Sequence, residues 1–279
     1  MWPDHPHLRA LIELALAEDV GTGDHATEAT IAPGRHGRAV VRAKSPAVVC
    51  GSAVFAKVLH RVDPTLAVHA LVADGTWVLA GSEVIEITGS LASILTAERT
   101  ALNFLQHMSG VATLTRAFVQ AVQPHATRIA DTRKTRPGFR ALDKYAVRTG
   151  GGVNHRTALD AGILIKENHT LAAGGVAAAV QRARTVGSHL LKVEVEVETL
   201  ADLDAALAAG AEVVLLDNMD LADLRAAVAR VAGRALVEAS GNMTLDRVHE
   251  VAGTGVDLIS VGALTHSAPA ADFSLRLDP

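Results

Sequence analysis

The chain has 279 residues, of which 49% are apolar and 20% charged, with a formal net charge of −4. That apolar share excludes a disordered chain, and the length admits one large α/β domain or two smaller ones. Net acidity argues against general nucleic-acid affinity, and the single cysteine, Cys50, excludes an intramolecular disulfide, which suits a reducing cytoplasm.

Charges interrupt every long apolar run near the start, so neither a signal peptide nor a membrane span is predicted. Residues 8–19 carry Leu8, Leu11, Ile12, Ala15 and Leu16 at helical spacing and predict an amphipathic helix. The run "GTGDHAT" reads as a glycine-rich loop. It follows a helix and opens no βα unit, so it is a poor dinucleotide fingerprint. Short alternating runs come next: "RAVVRAKS", "AVVCG", "LAVHALVADG", "TWVLAG" and "SEVIEITG". They predict a small, mainly antiparallel β domain with a helix around "AVFAKVLHRV". From Thr96 the period turns helical, with Ala101, Leu102, Leu105 and Met108 on one face, Thr96 as N-cap and Glu98 in the first turn.

The second half alternates strand and helix. Strand-like runs lie at 127–131, 162–166, 190–197, 211–217, 234–240 and 256–262, and Leu215, Val237 and Ile259 are each 22 residues apart. Repeated βα units predict a parallel sheet closed or partly closed as a barrel, and six strands rather than eight predict an incomplete one.

Ligands of such sheets bind beyond the carboxyl ends of the strands, where this chain places its reactive residues. The first strand runs into "DTRKTRPGFR" (131–140), inside a segment with Lys or Arg at 128, 133, 134, 136, 140, 144, 148 and 156 against only Asp131 and Asp143. Such a cluster in an acidic protein needs an anion to meet it. A nucleic-acid surface competes, but Phe139 and Tyr145 are the only aromatic platforms there, so a pocket for small polyanions is the better reading. In "VEVEVE", Glu194, Glu196 and Glu198 share one face. They serve either as a solvated edge or as carboxylates in the barrel mouth, held by the cations or by an Mg²⁺ shared with Asp217. "EASGNMT" is either an ordinary capping loop or a phosphate site, and Gly262 after the next strand favours the latter. "GGGVNHR" brings His155 and Arg156 beside the cationic segment, and paired arginines suit a ligand with more than one acidic group.

The motifs "EDVGTGDHAT", "AERTALNFLQHMSGVAT", "DTRKTRPGFRALDKYAVRTGGGVNHR", "LIKENH", "VEVEVET", "LLDNM", "EASGN" and "ISVGALTHS" occur in this order from about residue 18 to 275. Together they resemble the quinolinate phosphoribosyltransferases. The resemblance implies an N-terminal α/β sandwich domain at 1–110, joined by a returning tail at 267–279, and an incomplete, about six-stranded α/β barrel at 111–266. The implied reaction joins quinolinate to phosphoribosyl pyrophosphate (PRPP) with Mg²⁺, releasing nicotinate mononucleotide, CO₂ and pyrophosphate in NAD biosynthesis. By position, Arg133, Lys134, His155, Arg156 and Lys166 would form the quinolinate pocket. Arg99 would reach into a partner subunit's site, so a homodimer or higher even oligomer is implied. Glu196 and Asp217 would hold the ribose and the Mg²⁺–pyrophosphate. Ser240, Gly241, Asn242, Gly262 and His266 would bind the phosphate end. Lys134 and Lys166 are the first choices to assist loss of the 2-carboxylate. Two other readings compete: a molybdate-transport-associated relative of the same fold, and a non-catalytic paralogue that binds sugar phosphates.

Overall fold

A computed structural model describes residues 6–278. In chain order its first elements are α1 (Pro6–Val20), α2 (His25–Thr30), β1 (His36–Ala43), β2 (Ala47–Val48), α3 (Ser52–Val62), β3 (Ala67–Ala70), β4 (Trp77–Val78), β5 (Glu83–Ser90) and α4 (Leu91–Ala121). Then follow β6 (Arg128–Ala130), α5 (Arg140–Thr149), β7 (Ile163–Ile165), α6 (Glu167–Ala173), α7 (Val176–Val186), β8 (Val193–Val197) and α8 (Leu200–Ala208). The chain ends with β9 (Val213–Asp217), α9 (Leu221–Val231), β10 (Leu236–Ser240), α10 (Leu245–Ala252), β11 (Leu258–Ser260), α11 (Ala263–His266) and β12 (Phe273–Asp278).

Two compact units result. The first takes the described residues up to Arg116, Arg136–Gly151, and those from Ala268 onward. Its four-stranded antiparallel sheet has the order β12-β1-β5-β3, so the chain's last strand lies beside its first. Alternation in β1 and β5 buries Ala39, Val41, Ile85 and Ile87, while Phe55 and Leu59 of α3 and Ile94, Leu102 and Leu105 of α4 are likewise buried.

Two expectations are corrected in this unit. "GTGDHAT" is not all loop: α2 begins at His25, capped by Asp24, which accepts the Thr27 N–H at 3.0 Å and the Thr27 hydroxyl at 2.6 Å. Thr96 is not an N-cap either. Strand β5 runs into α4 with no intervening loop, and Ser90 Oγ accepts the Ser93 N–H at 3.3 Å, so Thr96 lies inside the helix and donates to Asp24 Oδ2.

The second unit holds Ala117–Thr135 and Gly152–Ser267. Its six strands form one parallel sheet of order β6-β11-β10-β9-β8-β7, an open sheet with β6 and β7 at its edges. The register does not follow the 22-residue sequence spacing: Leu215 pairs with Glu238. One face therefore carries Glu196, Leu215, Glu238 and Leu258, which partner one another across β8 to β11. Val195, Val214, Val237 and Ile259 alternate onto the other face and are buried.

The basic segment divides. Arg133, Lys134 and Arg156 belong to the second unit, whereas 136–151 joins the first. There Lys144 is buried on α5, and Arg136 Nη1 donates to His107 Nδ1 at 2.8 Å while His107 Nε2 meets buried Asp143 Oδ1 at 2.6 Å. Part of the charge density thus serves packing, not one pocket.

Candidate active site

The second unit contains a cavity of about 550 Å³ at the carboxyl ends of its strands. The face defined by the register supplies its floor through Leu164, Leu215, Glu238 and Ser260. Of the residues singled out from the sequence, Arg133, Lys134, His155, Arg156 and Lys166 line it. So do Glu196, Asp217, Ser240, Gly241 and Asn242. Gly262 and His266 adjoin through Lys134: a Cβ on Gly262 would lie 3.1 Å from Lys134 Cδ and 3.2 Å from His266 Nε2. Arg99 is exposed on α4 in the first unit.

The cationic wall is built from β6 and the loop that follows α5. Asp131, fully buried, accepts the His155 N–H at 2.8 Å through Oδ1 and Asn154 Nδ2 at 2.6 Å through Oδ2. It ties the loop to the strand. His155 Nδ1 accepts the Arg156 N–H at 2.7 Å, and its Nε2 lies 3.0 Å from Glu194 Oε2. The ring is therefore the Nε2–H tautomer, donating to a buried carboxylate. Arg156 Nη1 donates to Gly162 O at 3.0 Å, while its buried Nε makes no hydrogen bond. Burial, then the neighbouring Arg133 charge, pull the Arg156 guanidinium down from its ordinary value. Two guanidiniums held close in this way are best compensated by a bound dianion.

The acidic wall lies on β8, β9 and β10. Glu196 Oε2 accepts Lys166 Nζ at 2.8 Å, and Asp217 Oδ2 accepts Asn218 Nδ2 at 2.8 Å. Beyond Asp217 the backbone turns left-handed at Asn218, Gly241 and Asn242, with φ of 54°, 98° and 47°. A Cβ on Gly241 would run into the Asn218 side chain at a left-handed φ, so glycine suits the place where the two strand-end turns touch.

Asp131, Glu238 and Asn218 were given no role in the site from the sequence, and Glu194 only the alternatives of a solvated edge or a carboxylate in the barrel mouth. Glu194 shares its face with Glu196, a relation that alternation in "VEVEVE" already shows. The role of Asp131 depends on which backbone N–H groups a distant loop presents, and no local pattern carries that. Donor atoms of His155, Glu194 and Glu238 lie within 4.8 Å of one another. The imidazole N–H is already given to Glu194, while Oε1 of Glu194 and Oε1 of Glu238 make no hydrogen bond. Glu196 and Asp217 offer the hard carboxylate oxygens that Mg²⁺ prefers.

Residues 24–109 match the N-terminal domain of quinolinate phosphoribosyl transferase, and residues 111–276 its C-terminal domain. The chloroplastic nicotinate-nucleotide pyrophosphorylase (carboxylating) of Arabidopsis thaliana is 42% identical over 300 residues, spanning 99% of this chain and 85% of that protein. A quinolinate phosphoribosyltransferase (decarboxylating) of Nicotiana tabacum is 41% identical, spanning 99% of this chain and 84% of its own length. The solved nicotinate-nucleotide pyrophosphorylase of Francisella tularensis superposes with a TM-score of 0.94 at 41% identity, covering 99% of this chain and 98% of that one. On these matches, over both units and in the same order, the chain belongs to the quinolinate phosphoribosyltransferase family.

Proposed function

We propose that the cavity of the second unit binds quinolinate on its cationic wall and PRPP along its acidic wall and turns. The chain catalyses quinolinate phosphoribosyl transfer in NAD biosynthesis, the activity of its family. The observation that supports this placement best is the pairing of Arg133 and Arg156 on one wall with Glu196 and Asp217 at the neighbouring strand ends. Arg133 and Arg156 take the two carboxylates of quinolinate, with Lys134 and Lys166 adding charge. His155 serves by holding the Arg156 backbone. A ligand fixed at two points presents its ring nitrogen to the sugar carbon in one orientation.

As pyrophosphate leaves, positive charge develops on the ribose, and the carboxylates of Glu196 and Asp217 stabilise it. The same two residues would hold Mg²⁺, which when bound draws charge from the departing pyrophosphate. Ser240, Gly241, Asn242, Gly262 and His266 receive the 5′-phosphate. Arg99 completes the cationic wall of a partner's cavity in a homodimer. No helix among the described residues is long and apolar enough to cross a membrane. We place the enzyme in the cytoplasm, where buried Cys50, its thiol pushed up by burial, stays reduced.

Calorimetric titration tests the pocket. Quinolinate is expected to bind at least about tenfold more tightly than nicotinate, because the monocarboxylate leaves one guanidinium without its anion. Equal affinity for the two would overturn the assignment of both arginines to substrate carboxylates.

A further inference from the structure

Departure of the 2-carboxylate leaves an electron pair on C2 of the pyridinium ring, and that carbon must gain a proton before the product forms. Lys166 and His155 are poorly placed to supply it. Lys166 Nζ is held by Glu196 at 2.8 Å. His155 has both ring nitrogens committed, Nδ1 to the Arg156 N–H and Nε2 to Glu194, so neither is left for a ligand.

Glu238 is differently placed. It stands on β10 and lines the same cavity as Arg133, Lys134 and Lys166, yet it is only 2% exposed. Its Oε1 makes no hydrogen bond and lies 3.9 Å from His155 Nε2. The groups facing it are Glu194 from β8, His155 from the loop after α5, Ser260 from β11 and Asp131 beyond β6. Glu194 also has a buried oxygen, Oε1, without a hydrogen bond, but it does not line this cavity. Burial first, and then the Glu194 carboxylate, push the Glu238 carboxyl up to about 7. Near neutral pH it therefore holds a proton in a large share of molecules.

We propose that Glu238 is the acid that protonates C2 of the pyridine ring once CO₂ has left, an inference that rests on the quinolinate reading of the cavity. The bond from C2 to the carboxylate carbon breaks and its electron pair stays on C2, beside the positive ring nitrogen. CO₂ departs. C2 then forms a C–H bond with the Glu238 proton, the O–H electrons remain on the carboxylate, and water reprotonates Glu238 before the next cycle. Glu194 keeps Glu238 loaded with its proton between turnovers.

The test is a single-turnover quench with quinolinate, PRPP and Mg²⁺ at pH 7, measuring pyrophosphate, quinolinate mononucleotide and nicotinate mononucleotide separately. Glu238→Gln keeps the shape and removes the acid, whereas Glu238→Asp keeps an acid. In Glu238→Gln, pyrophosphate release is expected within about threefold of wild type. Nicotinate mononucleotide should form about 100-fold or more slowly, with quinolinate mononucleotide accumulating. Glu238→Asp should recover part of that loss. In wild type the second step should slow as pH rises through about 7, a limb missing from Glu238→Gln. Unchanged product formation in Glu238→Gln would overturn the proposal. So would an equal fall in both steps without accumulation, which is the signature of a merely structural role. If wild type makes no nicotinate mononucleotide from quinolinate, the reading of the cavity itself fails and the proposal falls with it.

Discussion

Replacing Glu238 by glutamine should stabilise the protein in alkaline solution and do little in mild acid. The carboxyl moves from an ordinary value of 4.5 to about 7 on folding, with burial as the main cause. At about 1.4 kcal/mol for each factor of ten, this corresponds to roughly 3 kcal/mol. Between these two values the folded protein binds the proton more tightly than the unfolded chain does. The contribution of the neutral acid is thus complete below 4.5 and is lost as pH rises through about 7. Glutamine does not titrate, so the variant escapes the loss. Urea unfolding followed by circular dichroism, repeated from about pH 5 to 8.5, should give a variant-minus-wild-type difference of about 1 kcal/mol or less at the acid end. That difference should grow to roughly 3 kcal/mol at the alkaline end. A difference that does not vary with pH would mean that Glu238 ionises like a solvated carboxylate, contrary to its burial.

Arg133→Ala and Arg156→Ala should each lower kcat/KM for quinolinate by about 100-fold or more with the fold intact, since each removes a charge-assisted contact to a dianion. Near-normal kinetics in either would remove that residue from the pocket. Gly241→Ala forces a side chain into a left-handed backbone and against Asn218 Oδ1. Such strain costs on the order of 1–2 kcal/mol, so the KM for PRPP should rise by about tenfold, and an unchanged KM would count against the turn as a phosphate site. Asp131→Ala frees the His155 and Asn154 contacts. Titration should then show weaker quinolinate binding with PRPP binding retained, while loss of both would mean that the strand edge had collapsed. Mixing inactive Arg99→Ala subunits with inactive Lys134→Ala subunits should restore activity; mixed dimers that stay inactive would confine Arg99 to a structural role.

The six parallel strands were legible because β-branched and apolar runs end in glycine or a polar residue, and the intervening helices carry their own period. What failed did so for local reasons. Helix α2 is only six residues long, and β5 passes into α4 without a turn residue to mark the change. The pairing of β9 with β10 is not readable from the 22-residue spacing: it sets Leu215 opposite Glu238 and brings that acid onto the cavity face. Charge density along the chain pointed to Arg133, Lys134 and Arg156, which line the cavity, and equally to Lys144, which is buried on α5. Alternation exposed Glu194 and Glu196 as a pair. The buried join of Asp131, His155 and Glu238 was not visible, since it forms only when β6, the loop after α5 and β10 are brought together by the fold.

The most direct measurement mixes the purified protein with quinolinate, PRPP and Mg²⁺ and follows nicotinate mononucleotide and CO₂, with nicotinate replacing quinolinate in a parallel sample. Both products should form, in equal amounts, from quinolinate alone. Failure to form them from quinolinate, in a folded protein that still binds PRPP, would contradict the proposed function.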